Sequence, residues 1–513
     1  MLMLIYIILI QGLIRPIPAS SGFQPHCTIP PESTNFVFVS GANVRGTLDI
    51  LWASLFTLIT CCWTVQHLNI PRQLQRPKWP EGPKNVWRES VRYAYRLIKF
   101  SFFSAWPKIK WTLLVLVIPE FLVGKALQER YLAKKSVGEF KDLARRLGKR
   151  TEEFQWMEEH WTITHGFYAN MGGFVLRIRC DGELQDIPLN CISLREMCEA
   201  SASSKYKTTV IGPWSSIGMF KIPRITDDEI NDKSKSDSLI KVITIGHLLW
   251  FVIQVAVRVS RGLAVSQLEI AVLAYAACTV FVFFLCLSKP QNVRAPTMLL
   301  AGEPTKFQGT LCSCSSSQSQ DSAIPIPIPT LSEDDRDQIL AKSYLTSWFG
   351  ILRPFVTFGE AWDGKGMRLG PIPNDAVLTY AHSYNKVKIG RYSFTSTWID
   401  IGSLVAGVVF GSTHCIAWTS HFPTPTEQVL WQVASVCTAA LLPILALCKM
   451  AHYTPFSSES PSIHYTLSIL EFLTSLAYLL ARLYLVIEIF RTLYFLPSSA
   501  FVGTWTSDIP HFV

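Results

Sequence analysis

Residues 465–490 read YTLSILEFLTSLAYLLARLYLVIEIF, a run long enough to cross a bilayer that also carries ionisable groups. His464, Ser468, Glu471, Ser475, Tyr478 and Arg482 recur at steps of three or four, so they share one helix face. A charge facing hydrocarbon costs at least ~2.5–3.5 kcal/mol. The face should therefore turn toward other protein or a wet cavity, where a carboxylate, a phenol and a guanidinium could serve an ion path, a solute cavity or a buried reaction site. Glu471 and Arg482 stand three turns apart, roughly 16 Å at ~1.5 Å per residue, and cannot pair within one straight helix. Arg258, Asp400 or a histidine are the partners the sequence suggests.

Other apolar runs carry similar stripes. Thr244, His247, Gln254 and Arg258 follow such steps in 240–258, and Asp400, Ser403, Gly407, His414, Trp418 and His421 do so in 400–421. Asp49, Ala53, Thr60, Thr64 and His67 lie near one face of the first run, and Gln428, Gln432, Ser435 and Thr438 of another. The run 270–287 is almost wholly apolar and is expected to touch lipid on most sides. The candidate polar pathway is thus His247, Gln254, Arg258, Asp400, His414, Glu471, Tyr478 and Arg482. The competing interpretation is that small polar residues only hold helices together, and that Asp49, Asp400, His67 and His421 are solvated at span ends. His165 and Asn170, in WTITHGFYANMGGF, are candidates for a loop contact. Arg45 is placed to pair with Asp49 if the first helix starts early.

The tested catalytic and metal patterns fail. His160 and His165 are five apart, not the four that places two ligands on one helix face, and His414 and His421 are two turns apart, too far to ligate one metal directly. HExxH, histidine boxes, paired Asp-rich motifs, P-loop spacing and G-x-S-x-G are absent. The Gly-rich stretch 359–366 has no P-loop spacing, and Cys312-Ser-Cys314 lacks the second pair of a zinc site. No metal, cofactor or catalytic residue is expected.

These stripes must be positioned by a membrane fold. Of 513 residues 49% are hydrophobic and only 17% charged, with the apolar excess in long blocks. The net charge of +9 clusters beside those blocks, which fits orientation and anionic headgroups rather than nucleic acid. Many of the 16 Trp and 16 Tyr flank the runs, as interfacial rings do. The expected fold is an all-α polytopic bundle of about six transmembrane helices, with an interfacial helix and a small mixed α/β cytosolic segment.

The organisation follows from charge. Residues 1–21 read as a signal peptide and 22–48 as an exoplasmic segment. A span at 49–67 leads into a basic cytosolic region, 68–239, within which 111–126 is short, broken at Pro119-Glu120 and basic on both flanks. That pattern predicts an interfacial or re-entrant helix. Asp181-Gly182 between apolar runs predicts a β-hairpin. A transmembrane hairpin at 240–287 precedes a second cytosolic region, 288–398, with a disordered linker at 309–332 and an amphipathic helix at 340–358. Three spans fill 400–490, and 491–513 form an exoplasmic tail.

RGTLDILWASLFTLITCCWTVQHLNIP (45–71), WTITHGFYANMGGF (161–174), DDEINDKSKSD (227–237), KPQNV (289–293) and ARLYLVIEIFRTL (481–493) resemble segments of a large group of uncharacterised fungal polytopic membrane proteins. The resemblance implies a filamentous-fungal source and a recurring membrane architecture, and carries over no catalytic residue. Together these observations point to permeation or ligand sensing through a polar interior, in an endoplasmic reticulum or plasma membrane, with lipids and a small molecule or ion as partners. The alternatives are a membrane-embedded enzyme acting on a lipid or isoprenoid, using His247, His414 and Glu471, or an accessory scaffold.

Overall fold

The computed structural model describes residues 45–71, 77–79, 86–147, 152–180, 183–205, 224–234, 238–300, 372, 374, 385–389, 392–396, 398–452 and 461–504. The signal peptide, most of 22–48, the linker 309–332, the helix at 340–358, the stretch 359–366, Cys312, Cys314 and most of the tail lie outside these residues.

The chain folds as an all-α membrane bundle with a small sheet. Its helices are α1 (Thr47–Thr64), α2 (Val86–Val117), α3 (Pro119–Leu147), α4 (Glu152–His160), α5 (Ile163–Asn170), α6 (Cys191–Lys205), α7 (Asp227–Lys233), α8 (Ser238–Ser260), α9 (Gln267–Leu285), α10 (Trp398–His414), α11 (Pro425–His452) and α12 (Pro461–Arg491). Six are long and apolar enough to cross a bilayer: α1, α8, α9, α10 with the turn after it, α11 and α12.

The helix α9 is the most enclosed of the six, with two-thirds of its apolar window buried. The sequence expectation that 270–287 touches lipid on most sides is therefore wrong. A helix apolar all round belongs in the middle of a bundle, because any neighbour can pack on any side. Conversely, α8, α11 and α12 each bury only about a third or less of their windows. The first helix also turns a different face inward from the one its stripe suggests. Ile50, Ser54, Thr57, Leu58, Cys61 and Cys62 are buried, whereas Asp49 is exposed. Asp49 accepts from the Gly46 amide at 2.7 Å, capping its helix, and Arg45 pairs instead with the buried Glu269.

Beside the bundle, β1 (Phe174–Cys180) pairs antiparallel with β2 (Glu183–Leu189), setting Phe174 opposite Leu189. This is the hairpin that Asp181-Gly182 predicts. The third strand, β3 (Thr297–Leu300), joins β1 in parallel after the chain has passed through α8 and α9. Phe140, Trp161, Tyr168, Phe174, Leu189 and Leu194 form the core beneath this sheet. A separate hairpin, β4 (Asn385–Ile389) and β5 (Tyr392–Ser396), precedes α10.

Candidate functional site

Two consecutive helices meet at Pro119. Proline has no N–H and disfavours helical conformation in the residue before it, so α2 stops at Val117 and α3 restarts with proline in its first turn. The joint is a sharp reversal. The rings of Trp111 and Phe121 stack with centroids 6.3 Å apart, and the Lys125 ammonium lies 5.4 Å above Trp111. In a straight helix residues 111 and 125 would be about 21 Å apart at ~1.5 Å per residue.

The two arms of this hairpin leave the bundle at one end. Lys108 sits 4.4 Å over Trp63, and Thr112 accepts from Gln66 at 2.7 Å. On the other arm, Gln128 accepts from the Trp398 amide at 3.0 Å and Arg130 donates to the Leu285 carbonyl at 3.1 Å. Trp63, Leu285 and Trp398 all lie at helix ends. The apex reaches deeper. Tyr275, near the middle of α9, donates its hydroxyl to the Leu116 carbonyl. Gly407, near the middle of α10, faces Glu120 closely enough that a Cβ there would lie 3.9 Å from the Glu120 Cγ. Arms of about ten residues reach about 15 Å, half of a ~30 Å hydrocarbon core. The segment 111–126, expected to be interfacial or re-entrant, bends back at Pro119 with its apex against Tyr275 and Gly407.

Close packing holds it there. A Cβ on Gly402 of α10 would stand 2.7 Å from the Gly124 Cα of α3, so the two backbones touch where both residues lack side chains. Such small-residue crossings are the usual way to bring helices together in lipid.

At the apex three side chains converge. Tyr478 donates its hydroxyl to Glu120 Oε1, and Arg482 Nη2 donates to Glu120 Oε2 at 3.2 Å. Arg482 Nε donates to the Val117 carbonyl at 3.2 Å, and its guanidinium lies 3.8 Å over the Phe410 ring. Glu120 is 1% exposed, Tyr478 2% and Arg482 4%. The polarity of the broken helix suits this arrangement. The carboxylate sits at the positive N-terminus of α3, and the guanidinium satisfies a carbonyl freed at the negative C-terminus of α2. Irregular backbone at membrane depth persists only where protein satisfies it, and Arg482 and Tyr275 do so.

Arg482 and Tyr478 are thus sheltered as the stripe predicts, but the partner is Glu120. It is neither Arg258, Asp400 nor a histidine. Glu471 is half-buried and Ser468 exposed, so the N-terminal half of the stripe lies on the periphery. The other candidates do not join the cluster. His247 shares a hydrogen bond with Thr57 at 2.8 Å on the α1/α8 contact, and Gln254 is half-buried on α8. Asp400 is buried in the first turn of α10.

His414 bonds the Phe410 carbonyl at 2.8 Å, with its ring centroid 5.8 Å from that of Trp431. Arg258 is a clamp: its guanidinium donates to the carbonyls of Ala264, Ser499, Ala500 and Val502 at 2.8–3.2 Å. His247 and His414 stand on separate contacts, the first against Thr57 and the second against Phe410 and Trp431.

His165 and Asn170 also have structural partners. His165 bonds the Ile225 carbonyl at 2.7 Å and Thr162 Oγ1 at 2.9 Å, tying α5 to the start of α7. Asn170 Oδ1 accepts from the Cys191 amide at 3.2 Å. No group of three His, Cys, Asp or Glu that could hold a metal ion occurs among the described residues.

A second buried cluster, which sequence reasoning missed, lies where the hairpin leaves the bundle. Glu129 accepts from Lys125 at 2.5 Å and from Lys289 at 2.9 Å, and Lys289 also donates to the His67 carbonyl at 2.6 Å. Burial alone would raise the Glu129 pKa, but the two ammonium groups hold it below the ordinary carboxylate value. Burial, reinforced by Lys289, pushes the His67 imidazole down to about 3. The imidazole is therefore neutral at physiological pH.

The fold and this buried apex define a polytopic α-helical membrane protein. Residues 104–328 match DUF8562, a family of unknown function. The matched stretch contains the whole re-entrant hairpin with Glu120, Glu129 and Lys289, and ends before Tyr478 and Arg482. No curated protein and no solved structure matches the chain.

Proposed function

We propose that the protein conducts a small ion or solute across a membrane and that the Glu120–Tyr478–Arg482 cluster is its closure. The observation that carries this reading is a helix broken at Pro119 inside the bundle, with Glu120 at the break buried against Arg482 of α12. Intramembrane ionisable residues mark ion pathways, proton relays or gates more often than plain packing sites. Discontinuous helices are also where transporters hold their cargo. A purely structural lock could be made of apolar residues without removing two charges from water.

In this reading the basic face at 108–112 and 125–130 is cytosolic, following the excess of Lys and Arg there. In the same reading a signal peptide at 1–21 directs the chain to the endoplasmic reticulum or plasma membrane, and the resembling sequences imply a filamentous-fungal source. Proteoliposomes loaded with pH-sensitive and potential-sensitive dyes test the proposal. Glu120→Gln and Arg482→Met, each assembled normally by size-exclusion, should raise ion leak above wild type, because each removes one side of the closure. Leak identical to wild type in both variants contradicts it.

A further inference from the structure

The outer part of α2 packs against little of the fold. Along residues 86–104 most side chains are exposed, and exposure falls only around Pro107, where the arm descends into the bundle. Trp87, Val91, Tyr95, Ile98 and Phe102 are 52–79% exposed. They follow steps of four, four, three and four, so they form a single stripe along a helix about 30 Å long. Arg88, Arg92, Arg96 and Lys99 repeat the same steps one residue later, which sets a basic stripe along the flank of the apolar one. Glu89 is the one acidic residue of α2, and it bonds Arg92 at 2.6 Å. Lys108 and Lys110 extend the positive charge into the descending arm.

We propose that residues 86–106 form an in-plane membrane helix that binds anionic lipid headgroups on the face where the re-entrant hairpin enters. Three observations select this occupant. The apolar stripe is continuous through one helix with an arm whose tip reaches the middle of the bundle, so the stripe begins at the membrane surface. Trp and Tyr, with Phe, dominate it, and rings of this kind favour the headgroup boundary. The basic stripe lies beside the apolar one, where a helix half-sunk in the leaflet presents lysine and arginine to phosphate and carboxylate groups. A second copy of this chain would set an identical basic stripe against the cation row, and Pro107, where proline favours a bend, lies between the exposed segment and the arm that enters the bundle. This inference needs only the membrane fold, and it stands or falls independently of ion conduction.

The test uses the full chain with Tyr95→p-benzoylphenylalanine, reconstituted in nanodiscs of equimolar phosphatidylcholine and phosphatidylserine. After irradiation, adducts are identified by mass spectrometry. The expected result is lipid adducts with phosphatidylserine enriched several-fold over phosphatidylcholine. That preference should vanish in Arg88→Gln/Arg92→Gln/Arg96→Gln/Lys99→Gln, with lipid adducts retained. Adducts to protein, or none, would overturn the in-plane placement. Equal yields from the two lipids in the unsubstituted helix would overturn anionic recognition. The quadruple variant alters exposed side chains only, and monodisperse elution confirms that it folds.

Discussion

Replacing Glu120 with glutamine should be one of the most damaging single changes in this chain, although it alters few atoms. Among the described residues, Glu120 is the carboxylate that meets Arg482, whose guanidinium also contacts the Val117 carbonyl and the Phe410 ring. Removing one partner of a buried ion pair leaves the other charge uncompensated and destabilises by about 3–5 kcal/mol. The cation–π contact returns at most ~2 kcal/mol and is already present in the native protein, so it does not offset the loss. Arg482→Met should be comparably harmful, since it strands the Glu120 carboxylate against the Tyr478 hydroxyl.

Removing both charges should do less harm than the sum of the two single changes. The double variant Glu120→Gln/Arg482→Met leaves neither ion stranded, so a double-mutant cycle should give a coupling of about 2–3 kcal/mol, toward the upper end of the range for contacting residues. The assay is reversible unfolding of detergent-solubilised protein in a graded SDS titration, followed by tryptophan fluorescence. Additive losses, or a Glu120→Gln variant within about 0.5 kcal/mol of wild type, the level expected at an unremarkable site, would refute the reasoning.

Other consequences follow from the same geometry. Between the ordinary histidine value of 6.5 and about 3, the unfolded chain holds a proton on His67 that the folded chain refuses. Stability should therefore fall as pH drops through this window, by up to ~1.4 kcal/mol per unit. Glu129 has a depressed pKa, so its contribution is also lost on acidification, at lower pH. Melting temperatures measured between pH 7.5 and 5 should decline, and His67→Gln should flatten that decline; an unchanged slope would contradict the assignment. Gly124→Val should abolish stable assembly, because the added side chain meets the α10 backbone at Ile399 and Ser403. Overpacking of this kind commonly costs about 1–3 kcal/mol or more; a monodisperse, native-like elution profile would refute it. Arg258→Leu removes five hydrogen bonds to backbone carbonyls, three of them to residues 499–502. It should expose the C-terminal segment to limited proteolysis while leaving the bundle intact.

The spans were legible because their signal is local. An apolar run of about twenty residues has few alternatives, and expected and observed bounds differ by a few residues, as 49–67 against Thr47–Thr64 shows. The β-hairpin was legible for the same reason, through the Asp181-Gly182 pair in the sequence between its strands. What was hidden was pairing across long separations. Glu120 and Arg482 lie far apart in sequence, and the Pro119-Glu120 break in the short run 111–126 was the single hint that the carboxylate is buried among the helices.

The parallel strand Thr297–Leu300 was missed because its partner lies before two membrane spans. The apolar helix Gln267–Leu285 was misplaced because uniform hydrophobicity fits lipid and bundle centre equally well. The stripe on α12 was half informative. Tyr478 and Arg482 meet a neighbour, whereas Ser468 is exposed and Glu471 only half-buried.

Whether 108–128 turns back within the bilayer or crosses it can be decided by sidedness. Ser101→Cys and Lys134→Cys, placed at exposed positions on the two arms of the hairpin, should react with a membrane-impermeant maleimide from the same side of sealed vesicles. Reaction from opposite sides would mean that the segment spans. Glu120 would then lose its place at a re-entrant apex, and the closure built on it would fail.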